Sequence, residues 1–314
     1  MKIILYTVIL FCVSSISRAR GDGATALERF EAEYPAAAAR LEERYSQVKG
    51  SYTLVRPSTN EKGSIKENGS FAFDHGFERV RFVRSSAAAG HAIEQEFVYC
   101  VGDRSAFMLV RSVGSPAWVV EGIGTTPSDK ARYNSVFGVY AKAHYSLRGT
   151  PLSQIVKGPS FVPTDAELID QNGHEIMRVT AEFGSKVKEY FVIDFDVGMG
   201  WVVSSIDYRS DFSKGSRIDI KYGDIIDGFY TPELVTIRDA EGATVECHFS
   251  GWTFEPTPES EFNMEYFGLP DLATEARRSG RSLTFWFVTL AMTSLIAATI
   301  LRVSLWRGAA SKHT

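Results

Sequence analysis

The sequence predicts an α+β protein: an antiparallel β-sheet covered by an N-terminal helix and an inserted helical segment, followed by one C-terminal transmembrane helix. Three observations lead to this fold class. Short segments between residues 186 and 238 repeat their apolar side chains at every second position, an amphipathic segment lies near the N-terminus, and a long uncharged stretch lies near the C-terminus. A period of two is the pattern of a β-strand with one buried face.

The alternation is clearest in two neighbouring segments of this region. Ile218, Ile220 and Tyr222 are separated by charged side chains, and Ile206 and Tyr208 share one face of the preceding segment. Turn residues stand between the segments, which indicates an antiparallel meander. One face of the meander must therefore be buried, and these five side chains belong to it.

Further strands are predicted from the same alternation and from turn residues between the segments. The Asn68-Gly69 pair is the strongest hairpin signal in the first half, and Asn172-Gly173 and Asp227-Gly228 are turn signals later in the chain. The remaining predicted strands are residues 51–55, 70–74, 78–84, 91–101, 106–113, 117–121, two segments near 166 and 175, 234–238 and 245–249.

Three helices are predicted beside the sheet. Residues 24–48 form an amphipathic helix laid on the sheet, because their apolar side chains recur at spacings of three, four and seven. Pro35 predicts a bend or a restart of this helix, since proline lacks the N–H group that an interior turn needs. A second helix, capped by Ser128 or Asp129, is predicted to run to about residue 147, and a short third one covers residues 151–156.

The N-terminus predicts a secretory signal peptide over residues 1–19. Lys2 precedes an apolar run that is too short to span a bilayer comfortably, and Ser17 and Ala19 are small residues of the kind that signal peptidase accepts. We place cleavage after Ala19, with an uncleaved N-terminal anchor as the alternative. A cleaved signal would place the residues that follow it outside the cytoplasm.

A transmembrane helix is predicted from Leu283 to Leu301. At 1.5 Å per residue this uncharged stretch reaches about 29 Å, which matches the hydrocarbon core of a bilayer. Arginines flank it on both sides, as interface anchors do. The sequence therefore predicts a single-pass protein of the cell membrane, with a β-rich periplasmic or otherwise extracytoplasmic domain (residues 20–254), a tether (255–282) and a cytoplasmic tail (302–314).

Composition and motifs argue against several function classes. The formal net charge of −4 gives no basic footprint for nucleic acid. No P-loop, Rossmann fingerprint or Gly-x-Ser-x-Gly elbow occurs, so we predict neither an enzyme nor a cofactor. The six histidines are scattered without metal-ligand spacing, so we predict no metal site.

Two cysteines, Cys100 and Cys247, remain after removal of the signal peptide. In an oxidising compartment they could form one disulfide bond. Two free thiols buried on core strands are the alternative, because cysteine is among the residues most often buried. The sequence leaves both outcomes open.

The order of these elements resembles the lipoprotein carriers LolA and LolB. The likeness is closest from Tyr190 to Ile237, where an apolar strand ends in Asp194, two alternating strands follow, and Asp227-Gly228 precedes another strand. The segment Tyr266-Phe267-Gly268-Leu269-Pro270 is similar to the end of envelope proteins from planctomycete-type bacteria. The resemblance implies a strongly curved sheet, a half-barrel closed by helices around an apolar cavity that accepts acyl chains.

Such a carrier implies a non-catalytic, extracytoplasmic protein that binds lipid or a lipidated protein, and the predicted transmembrane helix would anchor this one to the membrane. The buried face of the meander would line its cavity, which makes five side chains candidate ligand-binding residues: Ile206, Tyr208, Ile218, Ile220 and Tyr222. Arg79, Arg81 and Arg84 could contact phosphate headgroups or could form a solvated strand face. The alternative function is an envelope sensor or protein-interaction domain of the same fold, like the sigma-factor regulator RseB, without lipid transport.

Overall fold

Antiparallel strands make up most of the structure, which is a computed structural model. It describes residues 25–57, 64–88, 91–103, 105–126, 140–147, 149–184, 189–210 and 213–270. The chain divides into two compact units, one ending at Phe262 and one beginning at Asn263. The predicted signal peptide, transmembrane helix and cytoplasmic tail lie outside the described residues. Among the helices that are described, none has the length and apolar character needed to cross a membrane.

The strands are numbered in chain order as β1 Gln47–Pro57, β2 Ser64–Asp74, β3 Phe77–Ala88, β4 His91–Val101, β5 Ala106–Ser112, β6 Val119–Gly124, β7 Ser146–Leu147, β8 Thr150–Pro151, β9 Phe161–Gln171, β10 His174–Phe183, β11 Glu189–Asp196, β12 Val202–Ser210, β13 Ser213–Ile226, β14 Phe229–Asp239 and β15 Thr244–Thr253. The α-helices are α1 Ala26–Tyr45 and α2 Leu152–Ile155. Short 3₁₀ helices cover Glu259–Phe262 in the first unit and Met264–Phe267 in the second.

Thirteen of these strands form one curved sheet in the order β6-β5-β4-β3-β2-β1-β15-β14-β13-β12-β11-β10-β9, while β7 and β8 pair separately. Almost every pair in the large sheet joins strands that are consecutive in the chain. The exception is β1 with β15, which pair from Lys49↔Thr253 to Val55↔Glu246 and so join the two halves of the sheet. Within the described residues the sheet does not close, and β6 and β9 are its edges.

α1 packs against one face of the sheet, which we call the helix face. The ring of Tyr34 lies 4.4 Å from that of Phe195 on β11. A capping box starts the helix: the Thr25 side chain accepts the N–H of Glu28, and the Glu28 side chain accepts the N–H of Thr25. The buried side chains of α1 and of the helix face form one core, which includes Tyr52, Phe71, Ile206, Val235 and Phe249.

Pro35 lies inside α1, and the helix continues through it from Ala26 to Tyr45. Of the two predicted outcomes, a bend or a restart, the continuous helix excludes the restart. An interior proline costs about 3 kcal/mol because it removes a backbone hydrogen bond. Burial of large side chains offsets this cost, since each contributes about 1.5–3 kcal/mol, and α1 buries Phe30, Tyr34, Leu41 and Tyr45.

The curved antiparallel sheet and the N-terminal helix confirm the predicted fold class in outline. The short helix predicted over residues 151–156 is α2. Most of the second predicted helix, from its cap at Ser128 or Asp129 to residue 139, lies outside the described part of the chain.

Two of the three predicted glycine turns are confirmed. Asn172-Gly173 joins β9 to β10 and Asp227-Gly228 joins β13 to β14, with φ of 58° at Asn172 and 51° at Asp227. The predicted turn at Asn68-Gly69 is wrong, because this pair lies inside β2. The chain turns instead at His75-Gly76, where both residues have positive φ.

Replacing Gly69 by alanine should destabilise the fold by about 1–3 kcal/mol through overpacking. Gly69 pairs with Tyr52 and Phe82, and a Cβ atom there would lie 2.3 Å from Arg81 O and 2.8 Å from Tyr52 Cε1. Gly198→Ala is the matched control, because a Cβ atom at Gly198 would meet its nearest neighbour at 3.5 Å. Urea unfolding should show a loss for the first variant and little change for the second, and equal effects would contradict the close approach.

Cys100 and Cys247 are both free and buried, so of the two outcomes that the sequence leaves open the structure has the free thiols. Cys100 lies in β4 and Cys247 in β15, with β3, β2 and β1 between them. At about 4.8 Å per strand the two positions are about 19 Å apart along the sheet, far beyond the reach of a disulfide. Burial also raises the pKa of both thiols far above the ordinary value.

The face of the sheet opposite α1 is covered in part by the 3₁₀ helix Glu259–Phe262. The Cys100 thiol donates to Phe262 O at 3.2 Å, and the rings of Phe77 and Phe262 lie 5.5 Å apart. Arg79 forms an ion pair with Glu261. The first residues of the segment predicted as a tether thus pack on the sheet.

Candidate functional site

The structure brings the five predicted ligand-binding residues together on the helix face. Ile206 of β12 pairs with Ile218 of β13, and Ile220 continues the same row. Ile206 and Ile220 are buried core residues, and Tyr208, Ile218 and Tyr222 pack against the same core. Their ligand-binding role stays a prediction, because in the structure they are neighbours in a packed core.

The hydroxyl groups of the two tyrosines in this set are engaged. Tyr208 Oη donates to Glu189 Oε1 at 3.2 Å, and Tyr222 Oη donates to Val203 O at 2.6 Å. Burial raises the pKa of Tyr222 well above its ordinary value, so this side chain stays neutral. These hydrogen bonds satisfy the polar atoms that two tyrosines bring into the core.

A cavity of about 150 Å³ lies on the helix face between side chains of the first four strands, and we call it the β1–β4 pocket. Alternation places residues 52, 54 and 56 on one face of β1 and residues 80, 82 and 84 on the same face of β3. The register then aligns Leu54 with Glu67 and Glu67 with Arg84. The lining is mostly apolar and aromatic with three charged side chains: Tyr52, Leu54, Arg56, Glu67, Val80, Phe82, Arg84, Tyr99 and Tyr140.

Glu67 and two arginines form the charged part of this pocket. Glu67 Oε1 accepts hydrogen bonds from Arg84 Nε at 2.8 Å and from Arg56 Nη2 at 3.3 Å. The Glu67 side chain is only 7% exposed, whereas Arg56 is 37% and Arg84 30% exposed. The Arg84 guanidinium also lies 5.4 Å from the ring centre of Phe82 and 4.9 Å from that of Phe97. The cluster carries one positive charge in excess.

Three other ionisable side chains in or beside the pocket, Tyr52, Tyr140 and Cys247, are neutral at physiological pH. Burial raises the pKa of Tyr52, and the nearby Glu67 carboxylate raises it further. Burial also raises the pKa of Tyr140 and of Cys247. The charge of the described lining therefore resides in Arg56, Glu67 and Arg84.

A second cavity, of about 750 Å³, lies where β12 and β13 separate. These strands pair from Ser210↔Ser213 to Ser205↔Asp219, after which β13 continues beside β14. Two of the predicted residues, Ile220 and Tyr222, border this cavity. Tyrosines aside, six of its twelve lining residues are polar or charged: Gln171, Asn172, His174, Asp196, Ser204 and Lys221. The other six are Ile176, Met199, Ile220, Tyr222, Gly223 and Tyr230.

A histidine–aspartate pair stands in the wall of the second cavity. His174 Nδ1 lies 2.7 Å from Asp196 Oδ2, and Asp196 Oδ1 accepts the Met199 N–H at 2.9 Å. The Asp196 side chain is buried while His174 is half exposed, so the carboxylate fixes one ring nitrogen of an accessible imidazole. In the described residues no group of three or more His, Cys, Asp or Glu could hold a metal ion.

Sequence reasoning missed most of the β1–β4 pocket. The sequence offered one signal for this pocket: a charged residue that follows apolar residues on the same face of a strand, as Arg56 follows Tyr52 and Leu54. Of the three arginines grouped in the sequence, only Arg84 lines the pocket. The other two occupy odd-numbered positions of β3, and they pair with glutamates elsewhere: Arg79 with Glu261 and Arg81 with Glu96.

Comparisons with known proteins find likeness in fold. No protein-family model and no curated protein match the chain. A domain described as an outer membrane lipoprotein-sorting protein, from Vibrio parahaemolyticus, matches with 10% identity and a TM-score of 0.44, over 74% of this chain and 97% of that one. A LolA superfamily protein from Nitrosomonas europaea matches with 10% identity and a TM-score of 0.43, over the same shares of the two chains, 74% and 97%.

MucB also matches, with 10% identity and a TM-score of 0.24, over 74% of this chain and 62% of that one. At these identities the likeness concerns the fold alone.

Proposed function

We propose that this chain is a non-catalytic, membrane-anchored, extracytoplasmic binding protein whose β1–β4 pocket takes up an acyl chain of a lipid or of a lipidated protein. The observation that carries the proposal is the lining of the pocket, in which apolar and aromatic side chains stand beside the charged cluster of Arg56, Glu67 and Arg84. An amphiphile has the same two parts, a hydrocarbon chain and a polar headgroup.

The size of the pocket limits what it can hold. Its volume of about 150 Å³ is below the range of about 300–1,000 Å³ that is usual for ligand pockets. The pocket therefore fits the part of an acyl chain next to the headgroup, where each buried CH₂ group contributes about 0.8 kcal/mol. The larger cavity is a poorer match for hydrocarbon, because, tyrosines aside, six of its twelve lining residues are polar or charged, against three of nine in the β1–β4 pocket.

The proposal places the sheet outside the cytoplasm and anchors it through residues 283–301. Its support is the secretory-signal pattern of residues 1–19 and the uncharged stretch flanked by arginines near the C-terminus. A binding protein fixed to a membrane acts on lipids within reach of its tether.

Native mass spectrometry of the full chain purified from membranes tests the proposal. Wild type should retain a lipid, and Val80→Phe should lose it, because the larger side chain fills the pocket at a position that is 4% exposed. Val119→Phe is the matched control at a position that is 60% exposed, and it should retain the lipid. A wild-type chain without lipid, or equal retention by both variants, would contradict the proposal.

Exposed apolar side chains at the two sheet edges favour the alternative function, an envelope sensor or protein-interaction domain without lipid transport. Val119 and Ile123 on β6 are 60% and 41% exposed, and Val162 and Leu168 on β9 are 52% and 47% exposed. Edge strands also present backbone groups that can pair with another chain. A lipid-free chain that binds a protein through β6 or β9 would support this function.

A further inference from the structure

We infer that the β1–β4 pocket selects anionic amphiphiles, whose carboxylate or phosphate headgroup binds between Arg56 and Arg84. The inference rests on the proposed function and names the ligand class of the same site. It gives Glu67 a second role, because the carboxylate that positions the two arginines also competes with the ligand for them.

The contacts within the cluster leave room for a second anion. Both arginines bind the same oxygen, Glu67 Oε1, through Arg84 Nε at 2.8 Å and Arg56 Nη2 at 3.3 Å. Each guanidinium has five N–H groups, so Glu67 engages only a minority of the donors. A ligand oxygen can therefore bind both arginines through their remaining N–H groups, where it shares their positive charge with the Glu67 carboxylate.

Arg56 supplies an independent observation. Its Nε atom is buried and, within the described residues, has no hydrogen-bond acceptor. A buried N–H group without an acceptor is unfavourable. Rotation of the Arg56 side chain, which is 37% exposed, would bring this N–H group to a headgroup oxygen in the pocket. The adjoining wall of Tyr52, Phe82 and Tyr99 would contact the hydrocarbon chain.

A second cluster of one glutamate and two arginines, on β3, β4 and β5, lacks these features. Arg81 binds Oε1 of Glu96, and Arg111 binds Oε2 at 2.6 Å, so each carboxylate oxygen has an arginine of its own. The Arg111 guanidinium is also covered by the ring of Trp118 at 4.2 Å. Of these two clusters, only the Glu67 cluster has both arginines bound to one carboxylate oxygen and lies beside an apolar cavity.

Binding of a long-chain fatty acid and of its methyl ester to the delipidated full chain tests the inference, with the bound fraction measured by native mass spectrometry. The two probes share one hydrocarbon chain and differ in the charge of the headgroup. The fatty acid should half-saturate the protein at a concentration about tenfold lower than the ester does. The reason is that hydrogen bonds between charged partners are stronger than those to a neutral ester.

Variants of the cluster should change this ratio in opposite directions. Arg56→Gln should remove most of the preference for the fatty acid, whereas Glu67→Gln should increase it by removing the competing carboxylate. Arg209→Gln makes the same charge change at a side chain that is 73% exposed on β12, and it should leave the ratio unchanged. Circular dichroism checks the fold of each variant, and Arg56→Gln keeps the test valid if Glu67→Gln does not fold.

The possible results separate the inference from the proposed function. Equal binding of acid and ester by wild type would overturn the inference and leave the acyl-binding function standing. Binding of neither probe would overturn both. Displacement of the fatty acid by an equal concentration of inorganic phosphate would show a simple anion site, which would also overturn the inference.

Discussion

Replacing Ile206 by aspartate should lower the free energy of unfolding by about 3–5 kcal/mol, the cost of an unpaired charge in a protein interior. Ile206 is fully buried and pairs with Ile193 of β11 and Ile218 of β13. These apolar neighbours cannot solvate or pair a carboxylate. Since domains are stable by only about 5–15 kcal/mol, the loss removes much of the stability.

Two matched variants separate charge from other effects in urea and thermal unfolding. Ile206→Val should cost about 0.5–1.5 kcal/mol, because it removes one methyl group. Arg209→Asp puts the same new residue on β12 at a side chain that is 73% exposed, and it should cost about 0.5 kcal/mol or less. A folded Ile206→Asp chain that no longer bound an acyl probe would contradict the packed core and would place a hydrated ligand cavity at Ile206.

Acid should destabilise the fold through His144. This side chain is fully buried, and neither ring nitrogen has a hydrogen-bond partner among the described residues. Its ring packs 4.0 Å from that of Tyr45, 4.8 Å from that of Tyr145 and 6.1 Å from that of Trp252. Burial lowers the pKa of His144 from 6.5 to about 3, because the imidazolium ion cannot be solvated there.

The direction of the pH effect follows from the two protonation states. Above pH 6.5, the ordinary pKa, His144 is neutral in both the folded and the unfolded chain and contributes no pH dependence. Below that pH the unfolded chain binds a proton that the folded chain cannot accept until about pH 3. The free energy of unfolding should therefore fall by about 1.4 kcal/mol per pH unit, or about 2 kcal/mol between pH 6.5 and 5.

Unfolding of wild type and His144→Phe across this pH range measures the effect, since the other titrating groups are common to both chains. The stability difference in favour of His144→Phe should grow as the pH falls from 7 to 5. His248→Phe changes a histidine that is 52% exposed, and its difference from wild type should stay nearly constant. A constant difference for His144→Phe would show that the imidazole is hydrated in the folded chain.

Local patterns in the sequence were sufficient for most of the sheet. The strand predicted over residues 91–101 is β4 with the same bounds, because alternation and turn residues are properties of a few consecutive residues. The turn predicted at Asn68-Gly69 is wrong because the prediction rests on the conformational freedom of glycine, which β2 does not use at this position. In the structure Gly69 is required for a different reason, the close approach of β1 and β3 on either side of β2.

The candidate site could be predicted less well, because it depends on which strands become neighbours. The sequence placed Ile206 and Ile220 correctly on a buried face, but a buried face can be either a packed core or a cavity wall. The β1–β4 pocket needs the register that aligns Glu67 with Leu54 and Arg84. Alternation alone could have separated Arg84 from Arg79 and Arg81, since even and odd positions of one strand point to opposite faces.

The free thiols illustrate the same limit. An even number of cysteines outside the cytoplasm is compatible with a disulfide, but pairing requires two Cα atoms within about 7 Å. Three strands lie between β4 and β15, a separation that follows from the pairing of β1 with β15. Such long-range pairing leaves no mark in the spacing of Cys100 and Cys247.

The position of a bound acyl chain tests the central claim most directly. A fatty acid with a photoreactive group on its hydrocarbon chain can be cross-linked to the full chain, and the modified peptides can be identified by mass spectrometry. The account predicts labels on the pocket wall, at Leu54, Phe82 and Tyr99, and weaker labelling there in Val80→Phe. Labels concentrated on residues 218–222 of β13, or spread without preference over the surface, would contradict the claim that the β1–β4 pocket is the ligand site.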